Sequence, residues 1–248
     1  MKKTGLNSLL LAGMLALAPM LAYAEQPAQK QPPRLVLQIT VDALRGDLPR
    51  RFSRHLGDGG FRYLMEKGID YSNAHYQHAN TETIVGHVSL ATGTVPAAHG
   101  MVANVWFDRG LGRMIYNIED ADYRLLTAGA DVDQKTEIDP TQKAAKADGR
   151  SPAAILSSTF SDELAVHYGG KSKIFAVSIK DRGAVSMAGH AGKAFWFSKA
   201  AQQWVTSKFY YEDYPEWVTA LNQNQPASRY ADKSWELCQD RSSYLLAD

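Results

Sequence analysis

The chain is 248 residues long, with 27 basic against 26 acidic side chains, a formal net charge of +1 and 45% hydrophobic residues, an ordinary globular composition. That balance gives no electrostatic basis for holding nucleic acid or an anionic membrane surface, so neither is expected as a partner. The single cysteine, Cys238, excludes an intrachain disulfide and a cysteine-built zinc site; within Trp235-Glu-Leu-Cys-Gln it reads as a small packing residue.

The N-terminus has the three parts of a secretory signal peptide. Lys2 and Lys3 form the charged region, Leu9 to Met20 the apolar core, and Ala22-Tyr-Ala24 the small-x-small cleavage site. Gly13 and Pro19 interrupt the apolar run, which is too short for a stable membrane anchor. The expectation is therefore a signal peptide over 1–24 and export to the periplasm. Residues 25–33, with three prolines and three glutamines, read as a flexible leader.

The first element after the leader is Leu35-Val-Leu-Gln-Ile-Thr-Val41, an apolar run that predicts a buried parallel strand ending in Asp42. A helix is expected from about Pro49 to Lys67, closed by Gly68, and a second strand over Ile69–Ala74. Asn80-Thr-Glu-Thr-Ile-Val-Gly-His87 follows, with Thr83 where a helical turn should begin and Gly93 where that helix should end. From Val102 to about Ala147 the chain is polar without clear period and reads as an insertion or lid-like segment. Ser151-Pro152 reads as a helix start, continued by Ile155, Phe160, Leu164 and Val166 as far as Gly169-Gly170. Lys173–Ile179 predicts a strand ending at Lys180-Asp-Arg182-Gly183. Strands over Ala194–Ser198 and Trp204–Phe209 and a helix from about Pro215 to Asn222 complete the pattern. Alternating strands and helices predict an α/β fold whose mainly parallel sheet is covered by helices on both faces.

Two parts of this pattern carry chemistry. Unpaired N–H groups and the positive end of the helix dipole at Thr83 suit a phosphate oxyanion. A hydroxyl there can attack phosphorus if its pKa is lowered, usually by a metal, and Asp42 at a strand's carboxyl end is the nearest candidate to hold one. Lys180 and Arg182 lie two apart in what reads as an extended segment, so they can point the same way. A guanidinium binds two phosphate oxygens and a lysine adds a mobile point charge. Taken singly, Asp42 reads as a turn former, Thr83 as a helix cap, Asn104 as a loop residue and Lys180 with Arg182 as surface charges. The order and spacing of Asp42, Thr83 and Asn104 together point to a site. His87 and His99 read as hydrogen-bonded structural residues, His190 as a residue near the cleft, and His55, His75, His78 and His167 show no ligand spacing.

Asp42, the Thr83 segment with Ala91-Thr-Gly-Thr-Val-Pro96 and His99-Gly-Met-Val-Ala-Asn104, and Ser178-Ile-Lys-Asp-Arg-Gly-Ala-Val185 together resemble the alkaline phosphatase superfamily. The likeness is to bacterial alkaline phosphatases with a threonine nucleophile, near relatives of the nucleotide pyrophosphatase/phosphodiesterases, and runs from Leu35 to the C-terminus. It implies that Asp42 is a zinc ligand and that Thr83 is both nucleophile and zinc ligand. It further implies that Asn104, Lys180 and Arg182 hold the non-bridging oxygens of a phosphomonoester, with two zinc ions in the complete enzyme and small phosphate esters as substrates. The superfamily's remaining ligands lie downstream of anything matched here. Residues 34–248 therefore read as the N-terminal part of such a catalytic domain, incomplete at its C-terminus and weakly active or inactive alone. Two other readings are open: a phosphodiesterase or pyrophosphatase of the same fold, and a non-catalytic periplasmic phosphate-binding protein. A sulfatase is disfavoured, because that relative follows its nucleophile with proline and arginine where this chain has Val85 and His87. Oligomeric state is not legible.

Overall fold

The computed structural model describes residues 33–244, so the signal peptide and most of the leader lie outside the described residues. The chain divides into one unit ending at Ile39 and another running from Thr40. In the first unit the described residues form no strand, and Leu35, Leu37 and Ile39 are exposed. The buried strand expected over Leu35–Val41 is therefore not formed. An apolar run becomes a strand only when a neighbour takes up its backbone N–H and C=O groups, and no described strand does so.

The second unit begins with two short helices, α1 (Leu48–Arg51) and α2 (Gly60–Lys67), in place of the single helix expected over 49–67. Gly57-Asp-Gly-Gly60 breaks the run, and Gly60 sits at φ +58°, a left-handed conformation that suits glycine. Gly68 closes α2 as expected, whereas Ile69–Ala74 is irregular, with a turn at Ser72-Asn73, rather than a strand. Helix α3 (Thr83–Thr92) begins and ends where the sequence places it, with Gly93 at φ +66° as its left-handed cap. A one-turn α4 (Pro96–His99) follows. The polar stretch after Val102 is less irregular than its composition suggests, since β1 (Val105–Asp108) pairs antiparallel with β2 (Arg113–Tyr116).

Helix α5 (Phe160–His167) starts at Thr159, not at Ser151. Thr159 and Asp162 form a reciprocal capping box, while Ser151 bonds Asp120 and the Ala153 N–H in a local turn. Strand β3 (Phe175–Ser178), helix α6 (Asp181–Ala188) and strand β4 (Lys193–Ser198) make a parallel crossover unit. The segment read as extended at Lys180–Arg182 is thus the start of α6. Strand β5 (Gln203–Val205) pairs antiparallel with β4, and α7 (Glu216–Gln223) follows. The sheet order is β3-β4-β5.

Ala194 and Trp196 of β4 join a core with Ala184, Val185 and Ala188 of α6 and Ile84, Val85 and Val88 of α3. Ile84, Val85 and Val88 are fully buried, each worth about 1.5–3 kcal/mol, and they tie α3 to α6. Phe195 alternates to the other side of β4, where it meets Trp217 of α7 at 5.2 Å between ring centres. Helices therefore cover both faces of the sheet and the α/β class holds, with one parallel and one antiparallel pair in that sheet. Cys238 is exposed, not packed as its sequence context suggested.

Candidate active site

Packing α3 against α6 brings their N-terminal ends together, and with them Thr83 and Arg182. Thr83 is the first residue of α3, half-buried, and its Oγ1 lies 3.4 Å from Arg182 Nη2 and 3.4 Å from Asp42 Oδ2. Both distances are at the long end for hydrogen bonds, so the hydroxyl is loosely held between a cation and a carboxylate. Asp42 sits in an exposed turn, followed by Ala43 at φ +56°, a left-handed conformation uncommon for alanine.

Asn104 is buried and reaches α3 from the loop before β1. Its Oδ1 accepts the Ile84 N–H at 3.1 Å and its own N–H donates to Glu82 Oε2 at 2.6 Å. The amide oxygen is thereby committed to an otherwise unpaired helix donor, which leaves Nδ2 as the donor of this side chain. The nucleophile loop is braced in the same way. Asn80 Oδ1 accepts the Glu82 N–H and Asn80 Nδ2 donates to Val102 O at 2.8 Å, joining this loop to the one that carries Asn104.

Lys180 precedes α6 and the buried Arg182 is its second residue. Both donate to Asp139 Oδ2, Arg182 through Nη2 at 3.1 Å, and Arg182 Nη1 donates to Thr141 Oγ1 at 3.0 Å. Burial alone would raise the Asp139 pKa, but hydrogen bonds from Lys180 and Thr141 and the Arg182 charge hold the carboxyl well below its ordinary value. Asp181 anchors the same helix end from beneath. Its buried carboxylate accepts from Arg150 Nε at 2.7 Å, Tyr116 Oη at 2.7 Å and Gln142 Nε2 at 3.1 Å. Burial pushes its pKa up, and the Arg150 charge and hydrogen bond outweigh that and keep it low. Asp139, Thr141, Asp181 and Arg150 were not singled out from the sequence. Their partners across the site lie tens of residues away, and the turn-forming Asp139-Pro-Thr141 is the local signal.

The histidines serve structure. His87 Nδ1 bonds the Thr83 carbonyl at 2.7 Å. His99 is fully buried, accepts the Met101 N–H at Nδ1 and bonds Ser89 through Nε2; burial, aided by nearby His78, lowers its pKa. His190, read from the sequence as near the cleft, has both ring nitrogens engaged in structure. Its ring nitrogens bond Asp162 at 3.0 Å and the Ile155 carbonyl at 3.1 Å, and the Asp162 hydrogen bond raises its pKa. Among the described residues no group of three His, Cys, Asp or Glu side chains gathers to hold a metal. Asp42 and Thr83 supply two oxygen donors, whereas zinc takes about four, so the residues present do not by themselves fit a zinc centre.

Comparison with known proteins places the fold and family of the chain. The chain is 33% identical over 204 residues to the alkaline phosphatase PhoV of Synechococcus elongatus, covering 82% of this chain and 34% of that protein. It is 30% identical over 227 residues to the alkaline phosphatase PafA of Elizabethkingia meningoseptica, covering 91% and 39%. A solved structure of a PafA variant superposes with a TM-score of 0.71 at 27% identity, over 82% of this chain and 37% of that one. The chain thus spans a little over a third of the length of these relatives. The type I phosphodiesterase / nucleotide pyrophosphatase family matches residues 36–238, and the chain belongs to that family.

Proposed function

We propose that this protein takes part in the hydrolysis of phosphate monoesters, with Thr83 as the nucleophile and a phosphothreonine as the intermediate. The observation that carries this reading is the approach of Arg182 Nη2 to Thr83 Oγ1 at 3.4 Å, at the N-terminus of a ten-residue helix. The Thr83 oxygen attacks phosphorus and the ester alcohol leaves. Asn104 Nδ2, Lys180 and Arg182 bind the non-bridging oxygens, and the α3 dipole favours their negative charge. Asp42 faces the hydroxyl whose proton must leave. Zinc, which the resemblance implies, would lower the pKa of the nucleophile; Asp42 and Thr83 would supply only two of about four ligands, so the rest would have to come from outside the described residues.

A solved PafA variant lends support to the same four positions, since it carries substitutions of a threonine, an asparagine, a lysine and an arginine. The interval from threonine to asparagine there equals that from Thr83 to Asn104, and a single residue separates lysine from arginine in both. We further propose a periplasmic location, which sequencing of the exported protein checks: its N-terminus should be Glu25.

The family also contains phosphodiesterases, which supports a second reading. A dianionic monoester gains more from two cations than a monoanionic diester does. Replacing both Lys180 and Arg182 by Ala should therefore reduce hydrolysis of an aryl phosphate monoester much more than that of the matching methyl diester. Equal losses would remove the reason for preferring a monoesterase, and unchanged turnover in Thr83→Ala would remove the nucleophile assignment.

A further inference from the structure

Lys180 and Arg182 are not free cations in this fold. Asp139 Oδ2 takes a hydrogen bond from each of them, and its other oxygen, Oδ1, accepts from the Thr141 N–H at 2.9 Å and from Thr141 Oγ1 at 2.6 Å. Thr141 Oγ1 in turn accepts from Arg182 Nη1 at 3.0 Å. Pro140 lies between Asp139 and Thr141 and restricts its own φ, which stiffens this turn. The carboxylate is thus fixed by its own loop and presented to both cations at once. Arg182 Nη2, the nitrogen it occupies, is also the nitrogen that reaches Thr83 Oγ1 at 3.4 Å. A phosphoryl oxygen arriving at Nη2 must share that nitrogen with Asp139 or displace it.

We propose that Asp139 is a resident anion of this oxyanion clamp, lowering the charge of the Lys180–Arg182 pair from +2 to +1 and so setting how strongly the clamp prefers dianionic to monoanionic phosphoryl groups. The proposal rests on the reading that Lys180 and Arg182 bind phosphate. Asp139 remains ionised throughout the neutral range, because its partners hold its pKa well below the ordinary carboxylate value despite burial. Its charge therefore opposes every incoming anion. Coulomb energy scales with the product of charges, so at equal distance a dianion loses twice as much free energy to Asp139 as a monoanion does. Removing the charge should consequently tighten a dianion by the square of the factor it gives a monoanion.

The test is isothermal titration of the full chain near pH 8 with inorganic phosphate and, separately, with the monoanion dimethyl phosphate. Wild type, Asp139→Asn, Asp139→Ala and Arg182→Ala are compared, with circular dichroism and thermal melting to check each fold. Asp139→Asn keeps the bulk of the side chain, and Asp139→Ala covers the case in which the amide takes over the carboxylate's hydrogen bonds. The expected result is about tenfold tighter phosphate and about threefold tighter dimethyl phosphate in a folded Asp139 variant. Phosphate affinity that is unchanged or weaker in a folded variant overturns the proposal while leaving the clamp reading intact. Equal tightening of both anions overturns it as well, since a steric block would do the same. Loss of fold in both Asp139 variants would make the ion pair a structural tie and also overturns it. Failure of wild type to bind phosphate, or equal binding by wild type and Arg182→Ala, would remove the clamp reading itself and the proposal with it.

Discussion

Arg182 and Thr83 are 99 residues apart in the chain and meet at 3.4 Å, Nη2 to Oγ1. The contact depends on the packing of α3 against α6, whose buried faces are Ile84, Val85 and Val88 on one side and Ala184, Val185 and Ala188 on the other. Local function here is a product of the core: the same small residues that let the helices approach bring a guanidinium to a helix N-terminus.

Arg182 uses Nη1 on Thr141 and Nη2 on both Asp139 and Thr83. An ammonium has no planar fork with which to reproduce that set. Arg182→Lys should therefore lower kcat/KM for an aryl phosphate by about 100-fold, in the range for removing one oriented donor to a transition state. Steady-state kinetics against wild type checks this, and a loss under about threefold would show that charge alone suffices.

Asn104 has two separable tasks. Its Oδ1 caps the Ile84 N–H and its Nδ2 is the donor assigned to phosphate. Asn104→Asp should keep the cap while losing the donor, so it should fold nearly as stably as wild type and turn over poorly. Asn104→Ala should lose both, with a stability cost of about 1 kcal/mol on urea unfolding. If the two variants are equally destabilised, the capping role is wrong.

Asp181 is almost fully buried and paired with Arg150, whose side chain is also buried. Removing one partner leaves an uncompensated charge, so Asp181→Ala should cost about 3–5 kcal/mol of stability. Tyr116→Phe removes only the 2.7 Å hydroxyl bond to the same carboxylate and should cost about 1–3 kcal/mol. Urea titration of both variants tests the order, and a larger loss in Tyr116→Phe would contradict it.

The His190–Asp162 pair predicts a pH dependence of stability. Both ring nitrogens face acceptors, a carboxylate and a carbonyl, which favours the doubly protonated ring and raises the His190 pKa. Its contribution is full below about pH 6.5 and is lost as pH rises through the raised folded value. Asp162 goes the other way. Although burial alone would raise its pKa, hydrogen bonds from His190, Thr159 and Ala191 depress it, so its contribution holds above about pH 4 and is lost as pH falls through the depressed value. The melting-temperature gap between wild type and His190→Gln should thus be wider at about pH 6 than at about pH 9. A gap that does not narrow would mean the ring is neutral.

The parts of the site that were legible in the sequence were those with local causes. Thr83 and Gly93 bound α3 because the polar loop before it and the left-handed glycine after it are chain-local signals. Lys180 and Arg182 stand out in the sequence as a pair, but through an extended geometry that does not occur, since α6 starts there with a lysine at the cap position and no side-chain cap to announce it. Both side chains nevertheless converge, because Asp139 draws them together from outside the helix. Asp139 itself was hidden in a stretch whose order comes from non-local bonds. Leu35–Val41 shows the converse limit: apolar β-formers specify a strand only when another strand is there to pair with it.

Acid-quench trapping of the phosphorylated protein tests the Thr83 nucleophile most directly. The protein is mixed with an aryl phosphate in the presence of zinc, quenched within the first turnover, digested and mapped by mass spectrometry. A single phosphoryl group is expected on the peptide containing Thr83, absent from Thr83→Ala and greatly reduced in the variant lacking both Lys180 and Arg182. A phosphoryl group on any other residue, or release of phosphate with Thr83 never modified, would contradict Thr83 as the nucleophile.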